Sequence, residues 1–196
     1  MTAFEPFDGA SSNASIDVVR SVQTGWDRPE RLVTAVLPVS FRGAEIALQA
    51  LLATHQPDVA IGVGLAAGRS RPSLERFAVN VCDARIADND GDQPSDRAIV
   101  PGGPLAVATS LPVKATVARV RGEGVDVELS TTAGTFVCNA AFYLVATWAQ
   151  QSAGRRAGFV HVPGSALTAS AAVVRASVED ALDLDHDLDV PVGRAD

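Results

Sequence analysis

The apolar run Val59-Ala60-Ile61-Gly62-Val63 is typical of a buried β-strand. It follows residues 44–54, whose apolar side chains recur at helical spacing, and Pro57 breaks the chain between the two segments. A helix therefore leads almost directly into a strand that has no polar side. Similar pairs of segments recur on both sides of this run, and together they decide the fold class.

Strand-like and helix-like segments alternate along the whole chain. The helical patterns cover residues 15–23, 44–54, 114–121, 138–150 and 168–184. The strand-like segments cover residues 32–39, 59–63, 77–81, 125–129 and 158–163. We therefore predict an α/β fold, a single-domain three-layer α/β/α sandwich of residues 1–196 with a mostly parallel, mixed central sheet.

Residues 84–112 interrupt this alternation. They are rich in Gly, Pro, Asp and Asn, and they form a longer connection than compact domains usually contain. Because loops of this length are usually functional or mobile, we expect them to form a lid or a wall of a site.

Composition and charge argue against several classes of function. With 47% apolar and 20% charged residues, the 196-residue chain has the balance of a globular protein. Its net charge of -7 and its lack of basic runs argue against binding to nucleic acid or to an anionic membrane surface. The sequence has no apolar stretch long enough to span a bilayer and no signal peptide, so we expect a cytoplasmic protein.

The cysteines and histidines show no metal-binding spacing. Cys82 and Cys138 do not form a disulfide framework, and His55, His161 and His186 are scattered along the chain. We therefore expect reduced thiols and neither a metal nor an organic cofactor.

Cys138 is the first candidate for a catalytic group. The segment Thr132-Ala133-Gly134-Thr135-Phe136-Val137-Cys138-Asn139 places it behind a turn of small residues, at the start of the predicted helix 138–150. The positive end of a helix macrodipole favours a thiolate, which is the nucleophile of cysteine chemistry. A buried structural cysteine is the competing interpretation, and for a cysteine taken alone it is the more frequent case.

A cysteine nucleophile needs a base and a group that orients the base. His161 lies in a strand that runs into Pro163, where a parallel sheet presents residues at its carboxyl edge. Glu75 is the candidate for the orienting carboxylate. A core histidine bonded to a backbone carbonyl, and a surface Glu75 paired with Arg76, are the structural alternatives.

These residues belong to a longer series of motifs. In chain order the motifs are Phe4-Glu5-Pro6-Phe7-Asp8-Gly9, Asn13, Gly68-Arg69, Glu75-Arg76-Phe77-Ala78-Val79-Asn80, Ala84-Arg85-Ile86-Ala87-Asp88-Asn89, Gln93-Pro94, Gly102-Gly103-Pro104, Leu111-Pro112-Val113-Lys114, Ser130 to Asn139, and Phe159-Val160-His161-Val162-Pro163. In this order the series resembles the pyroglutamyl peptidase I family, the pyrrolidone-carboxylate peptidases, over nearly the whole chain.

The resemblance implies a cysteine peptidase that removes pyroglutamate from the amino terminus of peptides. It implies Cys138 as nucleophile, His161 as base and Glu75 as the residue that orients the base. The thioester formed on Cys138 would then be hydrolysed by water, without a cofactor. Family members often self-associate, so a homo-oligomer, dimer or tetramer, is a possible assembly.

The resemblance also implies a pocket for the lactam ring. Because this ring is uncharged, its pocket should be apolar, with a few backbone groups that meet the lactam N–H and C=O. Phe4 and Phe7 match the positions that clamp the ring, although simple core packing is the competing role of both. Asn13 matches a position that holds their loop, and Phe136 and Val137 would line the pocket beside the nucleophile.

Three further positions complete the expected site. Ile86 is expected to form another wall of the pocket. Leu65 stands where family members usually have Gln, so it lacks the polar contact of that side chain. Arg85 is expected to donate to the developing oxyanion, and an ion pair of Arg85 with Asp83 or Asp88 is the structural alternative.

Two other functions remain open at this stage. The chain would fit a catalytically weakened relative that binds lactam-capped peptides without cleaving them, although the Cys, His and Glu positions are all filled. It would also fit a different α/β hydrolase or a nucleoside-phosphorylase-like enzyme, since a fold does not determine a function. That second reading requires a phosphate site, and no glycine-rich loop here adjoins a cluster of Arg or Lys.

Overall fold

The computed structural model describes residues 1–191, which contain five helices and eight strands. The helices are α1 (Ala14–Thr24), α2 (Phe41–His55), α3 (Val113–Gly122), α4 (Val137–Gln150) and α5 (Leu167–Asp183). The strands are β1 (Thr2–Phe4), β2 (Ala35–Leu37), β3 (Val59–Leu65), β4 (Ser73–Glu75), β5 (Phe77–Val79), β6 (Ala106–Ala108), β7 (Glu128–Ser130) and β8 (Arg156–Val162).

Six of these strands form the central sheet, in the order β2-β1-β3-β8-β4-β7. Every neighbouring pair is parallel except β4 and β8, which are antiparallel. The predicted α/β fold with a mostly parallel, mixed sheet is therefore confirmed. The long strands β3 and β8 pair along their full length at the centre of the sheet, where helices cover both faces.

Successive residues of a strand point to opposite faces of a sheet, and here the two faces differ in chemistry. The aliphatic face packs against α1, α3 and α5, and its strand residues are Ala3, Ile61, Val63, Leu74, Val160 and Val162. The opposite face packs against α2 and α4 and carries most of the buried aromatic rings, so we call it the aromatic face. Its strand residues are Phe4, Gly62, Gly64, Glu75, Phe159 and His161.

Two side-chain caps define where the first helices begin. The Asn13 carboxamide oxygen accepts a hydrogen bond from the backbone N–H of Ser15 at 3.1 Å, and α1 starts there. The Ser40 hydroxyl accepts from the N–H of Gly43 at 2.9 Å and starts α2 in the same way. Helix α4 is different, because its N-cap residue is Phe136 and no side chain caps it.

Three short strands were not predicted from the sequence. β1 and β4 have three residues each, too few for a periodic pattern to be recognised, and β6 lies inside the stretch 84–112 that we expected to be irregular. β6 pairs antiparallel with β5 in a separate two-stranded sheet. The expected strand 32–39 is also shorter, since only Ala35–Leu37 pairs with β1.

None of the helices within residues 1–191 combines the length and the apolar character that crossing a membrane requires.

Candidate active site

The sulfur of Cys138 lies directly on strand β3. A Cβ atom added to Gly64 would come within 2.7 Å of the Cys138 Sγ atom and 2.9 Å of the Phe159 ring, so only glycine fits at this position. In the parallel pairing of β3 with β8, Gly64 is opposite His161. Since paired strands are about 4.8 Å apart, the sulfur over β3 and the imidazole on β8 occupy adjacent strand positions on the aromatic face.

His161 is held by Glu75 from the neighbouring strand β4. The imidazole Nδ1 lies 2.8 Å from Glu75 Oε1, and both residues are buried. Because an ionised carboxylate only accepts, Nδ1 carries a hydrogen and donates it. In this tautomer the second ring nitrogen, Nε2, is the one that could accept a proton. The surface role considered for Glu75 is wrong, since its side chain is 0% exposed.

Arg69 also binds this carboxylate, and sequence reasoning gave it no role. Its Nη1 donates to Glu75 Oε1 at 2.5 Å, the same oxygen that accepts from His161. Its Nη2 donates to the Thr132 carbonyl at 3.0 Å. Arg76, the partner considered from the sequence, instead stacks over the Phe77 ring at 5.6 Å. Chain spacing alone could not identify Arg69, because the turn between β3 and β4 brings it to Glu75.

The pKa of the Cys138 thiol is raised to about 12, chiefly because the sulfur is buried and secondly because Glu75 is negatively charged. The positive charge of Arg69 opposes this shift. Our expectation that the helix terminus favours the thiolate is therefore wrong for the free protein. Loss of water around the sulfur is the largest cause of the raised pKa, although Cys138 as a residue is half-buried. With its pKa raised, the Cys138 thiol is protonated at neutral pH, so any reaction in which it served as a nucleophile would require a base.

The amino terminus of α4 offers backbone donors beside the sulfur. Cys138 is the second residue of this helix, and the first N–H groups of a helix have no partner within it. Because no side chain caps α4, these groups are not claimed by a capping oxygen. Uncapped N–H groups next to a nucleophile are a typical oxyanion-binding arrangement.

Aromatic side chains form a wall close to Cys138. Phe136 precedes α4, and its ring centroid lies 6.1 Å from that of Phe7 and 5.5 Å, edge to face, from that of Phe41. Phe41 was not identified from the sequence, where it carried no distinguishing signal. Phe4 does not join this wall, because it is 1% exposed and packs against Phe159 in the core, at a centroid distance of 6.1 Å.

Asn13 ties the loop that carries Phe7 to the first helix. Its carboxamide nitrogen donates to the Glu5 carbonyl at 2.9 Å, while its oxygen accepts from both the N–H and the hydroxyl of Ser15. The side chain is buried, so Asn13 is a fixed anchor of the loop.

The remaining predicted residues lie in three different settings. Val137 is buried at the first position of α4. Leu65 is half-buried at the carboxyl end of β3, and Ile86 is half-buried in the connection after β5. Arg85 is exposed, and within residues 1–191 its guanidinium forms neither a hydrogen bond nor an ion pair.

Asp88 is the buried carboxylate of this connection. Its two oxygens accept from the backbone N–H groups of Phe41, Asp90 and Asp92, at 2.8 to 2.9 Å. The carboxylate therefore stabilises the loop, and it does not pair with Arg85.

A cavity of about 370 Å³ lies away from this site. It is lined by residues such as Trp26, Leu52 and Val59, at the amino end of β3, whereas the sulfur rests on Gly64 towards the carboxyl end. Within residues 1–191, no cluster of His, Cys, Asp or Glu is arranged to hold a metal ion. The side chains that the fold brings together at the candidate site are Cys138, His161, Glu75 and Arg69.

Comparison with known protein sequences points to one peptidase family. The model of the pyroglutamyl peptidase family matches residues 1–177. The pyrrolidone-carboxylate peptidase of Clavibacter michiganensis subsp. michiganensis is 44% identical over 200 residues, covering 94% of each chain. The pyrrolidone-carboxylate peptidase of Klebsiella pneumoniae is 42% identical over 188 residues, covering 93% of this chain and 88% of the relative.

Solved structures show the same similarity. The crystal structure of pyroglutamyl peptidase I from Bacillus amyloliquefaciens superimposes with a TM-score of 0.88 at 33% identity, covering 95% of this chain and 97% of that one. The pyrrolidone carboxyl peptidase from Thermococcus litoralis superimposes with a TM-score of 0.85 at 32% identity, covering 97% of each chain.

Proposed function

The chain belongs to the pyroglutamyl peptidase family, and from this premise we propose that it removes N-terminal pyroglutamate (5-oxoproline) from peptides. The observation that carries the proposal is the contact of the Cys138 sulfur with Gly64, the strand neighbour of a His161 that Glu75 holds at 2.8 Å. This is the arrangement of nucleophile, base and orienting carboxylate that acyl transfer requires.

The first half of the reaction forms a thioester. Because the Cys138 thiol is neutral, His161 Nε2 takes its proton as the sulfur attacks the carbonyl that joins pyroglutamate to the next residue. The N–H groups at the start of α4 stabilise the oxyanion. His161 then returns the proton to the leaving amine, the C–N bond breaks, and the pyroglutamyl group remains on sulfur.

The second half releases the product. Neutral His161 takes a proton from water, the resulting hydroxide attacks the thioester, and the proton passes to the departing sulfur. The products are free pyroglutamate and a regenerated Cys138 thiol. Glu75 stays ionised throughout and stabilises each imidazolium state of His161.

The aromatic wall suits an uncharged ring. Phe136 lies two residues before Cys138 in the chain, and its ring packs against those of Phe7 and Phe41. None of these rings offers a charge to capture a free amino terminus. A peptide with an ordinary ammonium terminus would therefore lose hydration without gaining a counterion. Val137, Leu65 and Ile86 extend this apolar lining in the proposal.

Phe4 and Asn13 act indirectly in the proposed site. Phe4 supports it from the core, and Asn13 anchors the loop that carries Phe7. Arg85 keeps its proposed role as a donor to the oxyanion, since its guanidinium has no partner elsewhere in residues 1–191.

Release of a fluorescent amine from a pyroglutamyl amide tests the proposal. We expect turnover by the native protein, inhibition by iodoacetamide and no effect of chelators. Cys138→Ala should lose all measurable turnover, whereas Cys82→Ala, which changes the other free cysteine, should retain it. Equal turnover in Cys138→Ala and the native protein would refute Cys138 as the nucleophile.

A binding measurement tests the first alternative noted from the sequence, and an assay of other capped amides tests for a different specificity. A native protein that binds a labelled pyroglutamyl peptide without cleaving it would be a weakened relative. Cleavage of another capped amide, with no cleavage of the pyroglutamyl amide, would refute the proposed specificity.

The proposal also covers the substrates, the cellular location and the assembly of the protein. The substrate partners are N-terminally pyroglutamylated peptides, and the cytoplasm, where thiols stay reduced, suits a catalytic cysteine. A homo-oligomer, dimer or tetramer, is proposed on family grounds. Cell fractionation and light scattering would test these two statements.

A further inference from the structure

One carboxylate oxygen of Glu75 accepts hydrogen bonds from two side chains. Oε1 accepts from His161 Nδ1 at 2.8 Å and from Arg69 Nη1 at 2.5 Å, while the buried Oε2 has no hydrogen-bond partner within residues 1–191. The carboxylate therefore depends on His161 and Arg69 for its hydrogen bonds. Of the two, only Arg69 is positively charged at every step of the proposed reaction.

A buried carboxylate without a counterion is unfavourable. Taking a charge out of water costs several kcal/mol, and the group tends to become neutral unless an opposite charge or hydrogen bonds compensate for it. His161 is neutral for part of the proposed cycle and cannot compensate then. The Arg69 side chain is 26% exposed, so its own charge keeps some contact with water while it faces a carboxylate that has none.

The same guanidinium reaches the chain segment that leads to Cys138. Its Nη2 donates to the Thr132 carbonyl at 3.0 Å and to the Ser130 hydroxyl at 3.3 Å. Ser130 ends β7, and helix α4 starts at Val137. Arg69 thus joins the carboxylate that holds the base to the loop that precedes the nucleophile.

We propose that Arg69 is a positioning residue of this site, which supplies the permanent counterion of Glu75 and fixes the loop before Cys138. The proposal rests on the function proposed above. Arg69 touches neither substrate nor reacting atoms in this role, because it acts through Glu75 and the Thr132 carbonyl. A guanidinium suits the position, since its rigid fork donates in two directions at once, which a single ammonium does less well.

Electrostatics at the sulfur agree with this assignment. Two charged groups from separate elements act on the Cys138 thiol, Glu75 on β4 and Arg69 on the turn between β3 and β4. His161 on β8 is the other titratable group on this face of the sheet. Glu75 raises the pKa of the thiol and Arg69 lowers it. Loss of the Arg69 charge should therefore make the thiolate still rarer at a given pH.

The pH dependence of Cys138 alkylation tests the charge directly. Native protein, Arg69→Gln and Arg69→Lys are treated with iodoacetamide between pH 7 and pH 10, and the label on Cys138 is quantified by peptide mass spectrometry, which separates it from Cys82. We expect Arg69→Gln to be alkylated about 3- to 10-fold more slowly at each pH, as a shift of about half to one pKa unit predicts. Arg69→Lys should stay within about twofold of native, since it keeps the charge.

Turnover of the pyroglutamyl amide tests the fixing of the loop. We expect kcat to fall about 100-fold in Arg69→Gln and about 10-fold in Arg69→Lys, with KM within about threefold, since positioning of reacting groups affects mainly the chemical step. The matched control is Arg71→Gln, because Arg71 pairs with Asp126 on the surface and should leave both readouts native.

Several outcomes would overturn the proposal. If folded Arg69→Gln is alkylated at the native rate, the claim that Arg69 is the counterion of Glu75 is refuted. If Arg69→Lys has the native kcat, the claim that Arg69 fixes the loop before Cys138 is refuted. If Arg69→Gln does not fold, Arg69→Lys decides, because native-like alkylation with a lowered kcat supports the proposal and any other result refutes it. Absence of pyroglutamyl turnover in the native protein would refute the proposed function, while the alkylation comparison would still test the counterion.

Discussion

The two faces of the central sheet are built from the same strands, but they bury side chains of different chemistry. On β8, Val160 and Val162 point into the aliphatic face, whereas Phe159 and His161 point into the aromatic face. The strand residues of the aliphatic face are all apolar, so moving them out of water lowers the free energy of the folded state. The aromatic face places a carboxylate, an imidazole and a thiol among rings, where each must be held by specific partners.

Neighbouring residues on β4 show what this difference costs. Leu74 and Glu75 are both 0% exposed. Burial of the leucine stabilises the fold by about 1.5–3 kcal/mol, whereas burial of the carboxylate requires both His161 and Arg69 to offset its lost hydration. Burial of strand side chains on the aliphatic face therefore adds stability, whereas the aromatic face also buries polar groups that need specific partners.

Replacement of His161 should give the largest effect on activity. His161→Ala removes the base from a thiol that is neutral, so we expect kcat/KM to fall by about 10³-fold or more. The matched change on the other face is Val160→Ala, which should keep kcat per folded molecule while lowering the free energy of unfolding. Steady-state kinetics and urea denaturation of both variants measure these effects. Equal kinetics in the two variants would contradict the division between the faces.

Leu74→Ala should have the next largest effect, and on stability alone. The side chain is completely buried in the aliphatic face, so its truncation should cost about 2–5 kcal/mol of unfolding free energy. Leu105→Ala is the control, because Leu105 is 89% exposed and should change stability by less than about 0.5 kcal/mol. A large loss of kcat in folded Leu74→Ala would show that the faces are coupled.

Gly64→Ala tests how closely the sulfur rests on the sheet. The added methyl group would meet Sγ at 2.7 Å, so Cys138 must move, and we expect kcat to fall about 100-fold because nucleophile and base lose their alignment. Gly122→Ala, where the added methyl group meets nothing within 4 Å, should leave kcat unchanged. Native activity in Gly64→Ala would mean that the sulfur has room to shift without cost.

The sequence predicted the parts of each face that depend on local pattern. Cys138 was a candidate because it begins a clear helical pattern, and His161 because it lies in a clear strand. Glu75 was a weaker candidate from position alone, and the family motifs strengthened all three. Arg69 and Phe41 were missed because their roles arise only when separate segments meet. β4 was missed because a charged residue in a three-residue segment looks like surface, although tertiary partners allow it to be buried.

The thiol pKa was mispredicted for a related reason. The helix macrodipole can be inferred from the position of Cys138 in the chain, whereas burial of the sulfur against Gly64 and the nearby charge of Glu75 depend on how the sheet is assembled. The helix position alone predicts a lowered thiol pKa, whereas the folded environment raises it.

The smallest effect we predict is a pH dependence of stability that comes from the aromatic face alone. The pKa of Cys138 is about 12 in the folded protein and 9.0 for an ordinary thiol. Between these values the unfolded chain releases a proton that the folded chain retains, so the free energy of unfolding decreases as pH rises above about 9.

Between pH 8 and pH 10 the Cys138 thiol should lower the free energy of unfolding by about 1.4 kcal/mol. Cys138→Ala has no thiol at this position, so it should not show this decrease. The stability difference between native protein and Cys138→Ala should therefore shift by that amount in favour of the variant. The raised pKa values of Cys82 and Tyr143 contribute to both proteins and cancel in this comparison. Urea denaturation at the two pH values measures it, and an unchanged difference would mean that the sulfur is less shielded from water than its position on Gly64 implies.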